Sequence, residues 1–216
     1  MAVADSPVMQ QYQRIKAAHA GALVMFRMGD FYELFGDDAL VASEILQITL
    51  TRRRTAKEGD AGVPMCGVPF HAAEGYIGKL LAKQHKVALV EQVETPEEAK
   101  KARGSNALVR RDVVRVFTPA TLTEESFLEG KQAVLLAAVC GEVGALKVWS
   151  GALAWLDVST GEVGVRAVAE EALGAVLAGL PVGEVLVAEG VPEPLLAQLP
   201  RRLVSVQDGL FAEASA

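Results

Sequence analysis

Apolar positions in the first 120 residues alternate between a helical and an extended period. Val8, Tyr12, Ile15 and His19 fall at spacings of four, three and four behind Ser6-Pro7, which predicts a capped helix closing near Gly21. The segment ALVMFRMGDFYELFGDD follows as two short apolar-aromatic runs broken at Gly29-Asp30, the signature of a β-hairpin. Asp37-Asp38 is placed to cap a helix over 39–47 whose inward set is Ala39, Ala42, Ile45 and Leu46. A strand over ITLTRRR, extended chain over VPMCGVPF and a helix over 71–84, with Tyr76, Ile77, Leu80 and Leu81 at core spacing, come next. A strand over 86–93, a charged helix or loop over 96–104 and a strand over 112–117 complete this part.

From Thr118 to Gln132 the composition turns to Thr, Pro, Glu and Gly without apolar periodicity, which marks a boundary. Beyond it four strands are expected, at 133–140, 144–149, 152–158 and 162–168, joined by glycine-bearing turns. A helix at 170–179, a strand at 184–188, a helix at 192–198 and a strand near 203–207 follow. The expected organisation is therefore two α/β domains with mixed sheets, 1–118 and 132–216, joined by a linker at 119–131.

Composition narrows the class. With 51% hydrophobic and 22% charged residues and a net charge of −6, the chain has enough apolar surface to offset chain entropy, which excludes a disordered tail. No run reaches the roughly 18–20 apolar residues of a membrane span, and the N-terminus lacks a basic start followed by an apolar stretch. A soluble, cytoplasmic chain without a membrane partner is expected. Two distant cysteines, Cys66 and Cys140, and three histidines, His19, His71 and His85, exclude a disulfide scaffold and a clustered structural zinc site. Charge is unevenly placed: residues 1–120 carry 16 Lys/Arg against 14 Asp/Glu, net +2, and residues 121–216 carry 5 against 13, net −8. The first part tolerates a polyanion and the second repels one, although overall charge alone does not point to nucleic acid.

On a strand Phe31 and Glu33 share one face and Tyr32 the other, which pairs an apolar group with a carboxylate. The pattern by itself reads first as core. FRMGDFYELFGDDA, LTRRR, PMCGVPFH with GYIGKLL, KVALVEQV and RDVVRVFTPAT, in this order and spacing, resemble the N-terminal mismatch-recognition domain of the bacterial MutS family over about residues 7–121. Residues 132 to about 207 resemble the family's connector domain more loosely, through LLAAV and LDVSTGEV, which implies a ribonuclease-H-like α/β fold there, complete or cut short.

The resemblance implies that Phe31 stacks at a mispaired base in the minor groove and that Glu33 hydrogen-bonds a base. Unstacking a duplex step costs a few kcal/mol and less where pairing is already defective, and stacking on an aromatic ring returns about 1–3 kcal/mol. Glu33 adds a penalty, since a carboxylate among phosphates is repelled unless a base donor or its own protonation satisfies it. Arg27, Arg52, Arg53, Arg54, Arg110 and Arg111 are candidates for backbone contacts, with Arg53 and Arg111 favoured by motif position. Met28 and Met65 line the same groove in that arrangement, or else belong to the core. Mismatched duplex DNA, MutL through the connector, and a second copy of the full-length subunit are the implied partners.

Other chemistry is weaker. Cys66 and His71 lack a third orienting group. Asp157, with Glu142, Glu162 or Glu189, could form a metal-dependent nuclease site but reads first as a turn-forming Asp, and an inert truncated relic is the remaining alternative. No G-x-x-x-x-G-K-[ST] phosphate loop occurs in the 216 residues. The expectation is a non-enzymatic N-terminal fragment or truncated product with no cofactor of its own, ATP and magnesium belonging to the full-length family.

Overall fold

The computed structural model describes residues 6–53, 62–121, 134–143, 149–188, 191–199 and 204–207. Two compact units divide at Phe117/Thr118. In the first, α1 (Pro7–Ala18) starts where its cap predicts: Ser6 is extended and its Oγ accepts from the Met9 amide at 3.3 Å. β1 (Ala22–Met28) and β2 (Phe31–Phe35) form the hairpin, with Met28 paired to Phe31. Gly29 has φ of +60°, as a two-residue loop with glycine first requires. β1 is buried on both faces from Ala22 to Phe26 because it is central, antiparallel to β2 and parallel to β5 (Lys86–Gln92). With β3 (Thr51–Arg53), β4 (Val63–Pro69) and β6 (Arg111–Phe117), the sheet order is β3-β4-β2-β1-β5-β6.

α1 covers one face of this sheet, packing Met9, Tyr12 and Ile15 on Ala22, Val24, Phe26, Phe35, Ala88 and Val90. Tyr12 meets Phe26 and Phe35 edge-on at centroid distances of 5.6 and 5.0 Å. α2 (Asp37–Leu46) and α3 (Ala73–Ala82) bury Ala39, Ala42, Leu46, Ile77, Leu80 and Leu81. α4 (Pro96–Arg103) is a helix with a full capping box between Thr95 and Glu98. The expected Asp37-Asp38 cap is not formed. The helix begins at Asp37 behind Gly36 without a side-chain cap, and Asp38 is buried instead. It accepts from Tyr12 Oη at 3.3 Å, Lys16 Nζ at 2.8 Å and the Val24 amide at 3.0 Å, tying α1, α2 and β1 together. The strand expected over ITLTRRR is paired only at Thr51–Arg53 among the described residues.

In the second unit β7 (Leu135–Val143), β8 (Trp149–Asp157) and β9 (Val163–Ala169) form an antiparallel meander, extended by parallel β10 (Val182–Ala188) and β11 (Val204–Gln207) in the order β11-β10-β7-β8-β9. α5 (Glu170–Ala178) and α6 (Glu193–Leu196) contribute Leu173, Leu177 and Leu195 to a core with Ala137, Val139, Leu153, Val185 and Val187. Both units are thus α/β with mixed sheets. The expected break between strands at 144–149 and 152–158 is absent at Ser150-Gly151, which lie within one strand. Gly151 pairs with Gly141 across the ladder, and a Cβ on Gly151 would collide with the Cys140 carbonyl and the Trp149 ring. These glycines make room for an indole rather than a turn. Residues 144–148, most of the 119–131 linker, Arg54 and Glu189 lie outside the described residues.

Candidate nucleic-acid interface

The face of the first sheet that α1 covers runs on past the end of the helix. Cross-strand pairing places Phe31 opposite Met28 and Pro69, and Glu33 opposite Phe26 and Gly67, with Met65 beside Phe35. The strand period therefore brings Phe31, Glu33, Met28 and Met65 onto one surface. Phe31 is 47% exposed, whereas Phe26 and Phe35 are at 0% and 2%. The core alternative for Phe31 is thereby settled, because the hairpin carries it beyond the end of the packed layer. Met28 and Met65 are half-buried and pack against the edge of that layer.

Two arginines seal it. Arg53 lies over the Phe35 ring at 5.7 Å and Arg111 over the Phe26 ring at 5.2 Å. Arg53 Nη1 stands 3.3 Å from Glu33 Oε2. Arg111 is fastened by the Arg27 carbonyl at 2.7 Å and the Val109 carbonyl at 3.0 Å. Burial pushes the Glu33 carboxyl above its ordinary value, and this outweighs the opposing pull of Arg53 and Arg111. Burial also works against the charge on Arg111, with Glu33 supporting it. The Glu33–Arg53 pair is partly exposed and contributes only about 0–1 kcal/mol. An incoming phosphate can therefore compete for Arg53 at little cost.

Gly67 beneath this surface and Glu91 and Phe70 behind it escaped the sequence reading. A Cβ on Gly67 would stand 3.7 Å from Glu33 Cγ and 3.8 Å from Phe31 Cδ1, so the missing side chain leaves both groups room to move. The opposite face of the hairpin is braced by Tyr32, which donates to Glu91 and whose hydroxyl is pushed up to about 12 by burial and then by that carboxylate. Arg27 reaches Glu91 at 3.5 Å and stacks on Phe70 at 3.9 Å, which commits it to bracing the hairpin. Only the pairing register, not a local motif, brings these residues together.

Other candidates are placed elsewhere. Arg110 pairs with Glu94 at 3.3 Å and Arg52 donates to the Gly62 carbonyl at 3.1 Å. Cys66 is buried, hydrogen-bonds the Ala39 carbonyl and has its thiol pushed up to about 11 by burial, a poor nucleophile. Asp157 Oδ1 accepts from the Ser159 amide at 2.9 Å, the Ser159 hydroxyl at 2.6 Å and the Thr160 amide at 3.3 Å, the bonds of a turn-forming Asp. Glu142 pairs with Ser150 and Asp157 with Leu135, seven ladder steps apart, or roughly 24 Å at strand rise, so the two cannot share a metal. Among the described residues no group of three potential ligands gathers.

The family model for MutS domain I matches residues 6–126. The chain is 53% identical over 186 residues to the DNA mismatch repair protein MutS of Dinoroseobacter shibae, covering 86% of this chain and 20% of that protein. It is 50% identical to that of a Caulobacter species over 198 residues, 91% and 21% of the two chains. For the Cereibacter sphaeroides protein the figures are 46% over 211 residues, 98% and 23%. The chain thus spans about one fifth of the length of these curated relatives. No helix among the described residues is long and apolar enough to cross a membrane. A match across more than half the chain, by a domain that includes the exposed Phe31 and the Arg-flanked Glu33, establishes that this chain belongs to the MutS domain I family.

Proposed function

We propose that this chain recognises mismatched duplex DNA through its first unit, with Phe31 as the inserted ring and Glu33 as the group that judges the base it meets. The observation that carries this reading is the exposed Phe31 standing on the same strand face as a carboxylate paired with Arg53 and within the field of Arg111. Arg53 and Arg111 hold the phosphate backbone, and Met28 and Met65 fill the groove beside the ring. The second unit serves as a connector to MutL, and the full-length protein pairs with a second copy. The chain does no chemistry itself; ATP and magnesium enter through the remainder of the full-length protein, in the cytoplasm.

With a net charge of +2 on residues 1–120, the isolated chain makes about two or three phosphate contacts and binds weakly, with a salt slope near −0.9 per contact. Titration against matched and mismatched duplexes over a salt series tests this. Preference for the mismatch with a shallow slope is expected, and tight, steeply salt-dependent binding to sound duplex would refute it.

A further inference from the structure

Beside the proposed interface, α1 and the start of β6 enclose a hollow of about 510 Å³ lined by Gln11, Arg14, Ile15, Val93, Arg110, Arg111 and Asp112. Its size lies in the range of small-ligand sites. Three guanidiniums and the Asp112 carboxylate line it, and Glu94 stands against Arg110, which leaves a local excess of one positive charge. Arg14 is exposed and forms no ion pair among the described residues. Arg110 spends one edge on Glu94, which Arg103 also neutralises, and its side chain remains 67% exposed. Asp112 Oδ1 is taken by its neighbour's amide, Val113 N, at 2.8 Å. Gln11 is buried, and its Oε1 faces Arg111 Nη1 at 3.5 Å.

We propose that this hollow binds a phosphate group, with Arg14 and Arg110 as its outer donors and Arg111 as the residue it shares with the Glu33 surface. Clustered planar guanidinium forks present donors at spacings that suit phosphate oxygens, and an unpaired arginine gains more from an anion than one already bridged. Arg111 sits over Phe26, the cross-strand partner of Glu33. A chain of phosphates crossing the Glu33 surface therefore continues into the hollow. Resting on the DNA reading above, the group is a backbone phosphodiester one or more nucleotides from the mismatch; a free phosphate compound shares the same chemistry.

Two arms of one experiment separate the site from that reading. In the first, inorganic pyrophosphate is titrated into the full chain while the arginine Nε–H resonances are followed by NMR. Saturable shifts of Arg14 and Arg110 are expected, weakened at least about tenfold by Arg14→Glu; static resonances, or a response that survives this change, overturn the site. In the second, Arg14→Ala is titrated with matched and mismatched duplexes over a salt series. The slope should fall by about 0.9 for one lost phosphate, with both duplexes weakened by the same factor and the thermal midpoint unchanged. An unaltered slope in a protein that still prefers the mismatch overturns the placement on DNA while leaving the Phe31 reading intact. A pyrophosphate response in a chain that binds neither duplex has the opposite meaning: the phosphate site stands and the DNA reading fails.

Discussion

Replacing Phe31 by Ala separates stability from recognition. A Phe in a packed core costs about 3–5 kcal/mol when cut to Ala, and for a unit of this size about 4 °C per kcal/mol makes that a fall of roughly 12–20 °C. Phe31 is 47% exposed and touches the layer only through its edge position opposite Met28 and Pro69. About half the transfer term of a buried side chain, on the order of 1 kcal/mol, is therefore lost, and the midpoint should fall by about 4 °C. The loss in recognition is larger. Stacking worth about 1–3 kcal/mol corresponds to roughly 5- to 150-fold in affinity, realised where the base is already unpaired. Fluorescence anisotropy with mismatched and matched duplexes at one low salt concentration, beside a thermal melt, reads both quantities. A ratio near one with a small thermal shift is the expected pair. A midpoint drop above 10 °C, or a mismatch preference that survives, would refute the reasoning.

Glu33→Ala should raise affinity for matched duplex, because it removes a carboxylate from among phosphates and frees Arg53; mismatch affinity rises less or falls, and Glu33→Gln lies between in the same titration. The Glu33 carboxyl already sits above its ordinary value and phosphates push it higher, so binding takes up a proton: affinity should rise as pH falls toward that raised value, a dependence that Glu33→Gln flattens. The same raised value means that charging Glu33 disfavours the fold as pH climbs through it, so chemical denaturation at pH 7 should find Glu33→Gln no less stable than the parent. Asp38→Ala removes the acceptor of three bonds and should cost about 3 kcal/mol, at the low end because Lys16 keeps the Ala22 carbonyl at 2.7 Å; urea unfolding measures it. Gly151→Ala forces a methyl against the Cys140 carbonyl and the Trp149 ring and should cost about 1–3 kcal/mol, lowering the second unit's melting transition while leaving the first in place.

The elements of the first unit were legible because their signals are local: a cap at Ser6, a glycine-led turn at Gly29, and apolar periods that change between segments. In sequence Asp38 reads as a cap, because a carboxylate at a helix start looks like one. Nothing local says that Tyr12, Lys16 and Val24 will converge on it. Ser150-Gly151 reads as a turn, because a glycine that makes way for an indole and a glycine that bends the chain look alike in sequence. The exposure of Phe31 was also hidden, since an apolar run does not reveal where the covering helix stops. Arg53 and Arg111 flank Glu33 only after strands far apart in the chain take their places in the sheet, and Gly67 gave no signal at all.

The two arginines explain how one face can be both core and the proposed contact surface. Over Ala22, Val24 and Phe26 the covering layer is α1, but toward Phe31 no helix continues it among the described residues. Rings left at that margin need a cover that is apolar beneath and polar above. An arginine laid flat meets both demands: its stem and guanidinium face rest on the ring, while its edges keep hydrogen-bond donors facing outward. Lysine, a point charge with no planar face, would cover the ring less well. Arg53 on Phe35 therefore closes the core with a group that an anion can still reach, whereas Arg111 on Phe26 gives its Nε and Nη1 to the Arg27 and Val109 carbonyls and to Gln11 and keeps only Nη2 for another acceptor. With the margin sealed in this way, Phe31 is not needed for the core, and the sheet can hold it out at its end.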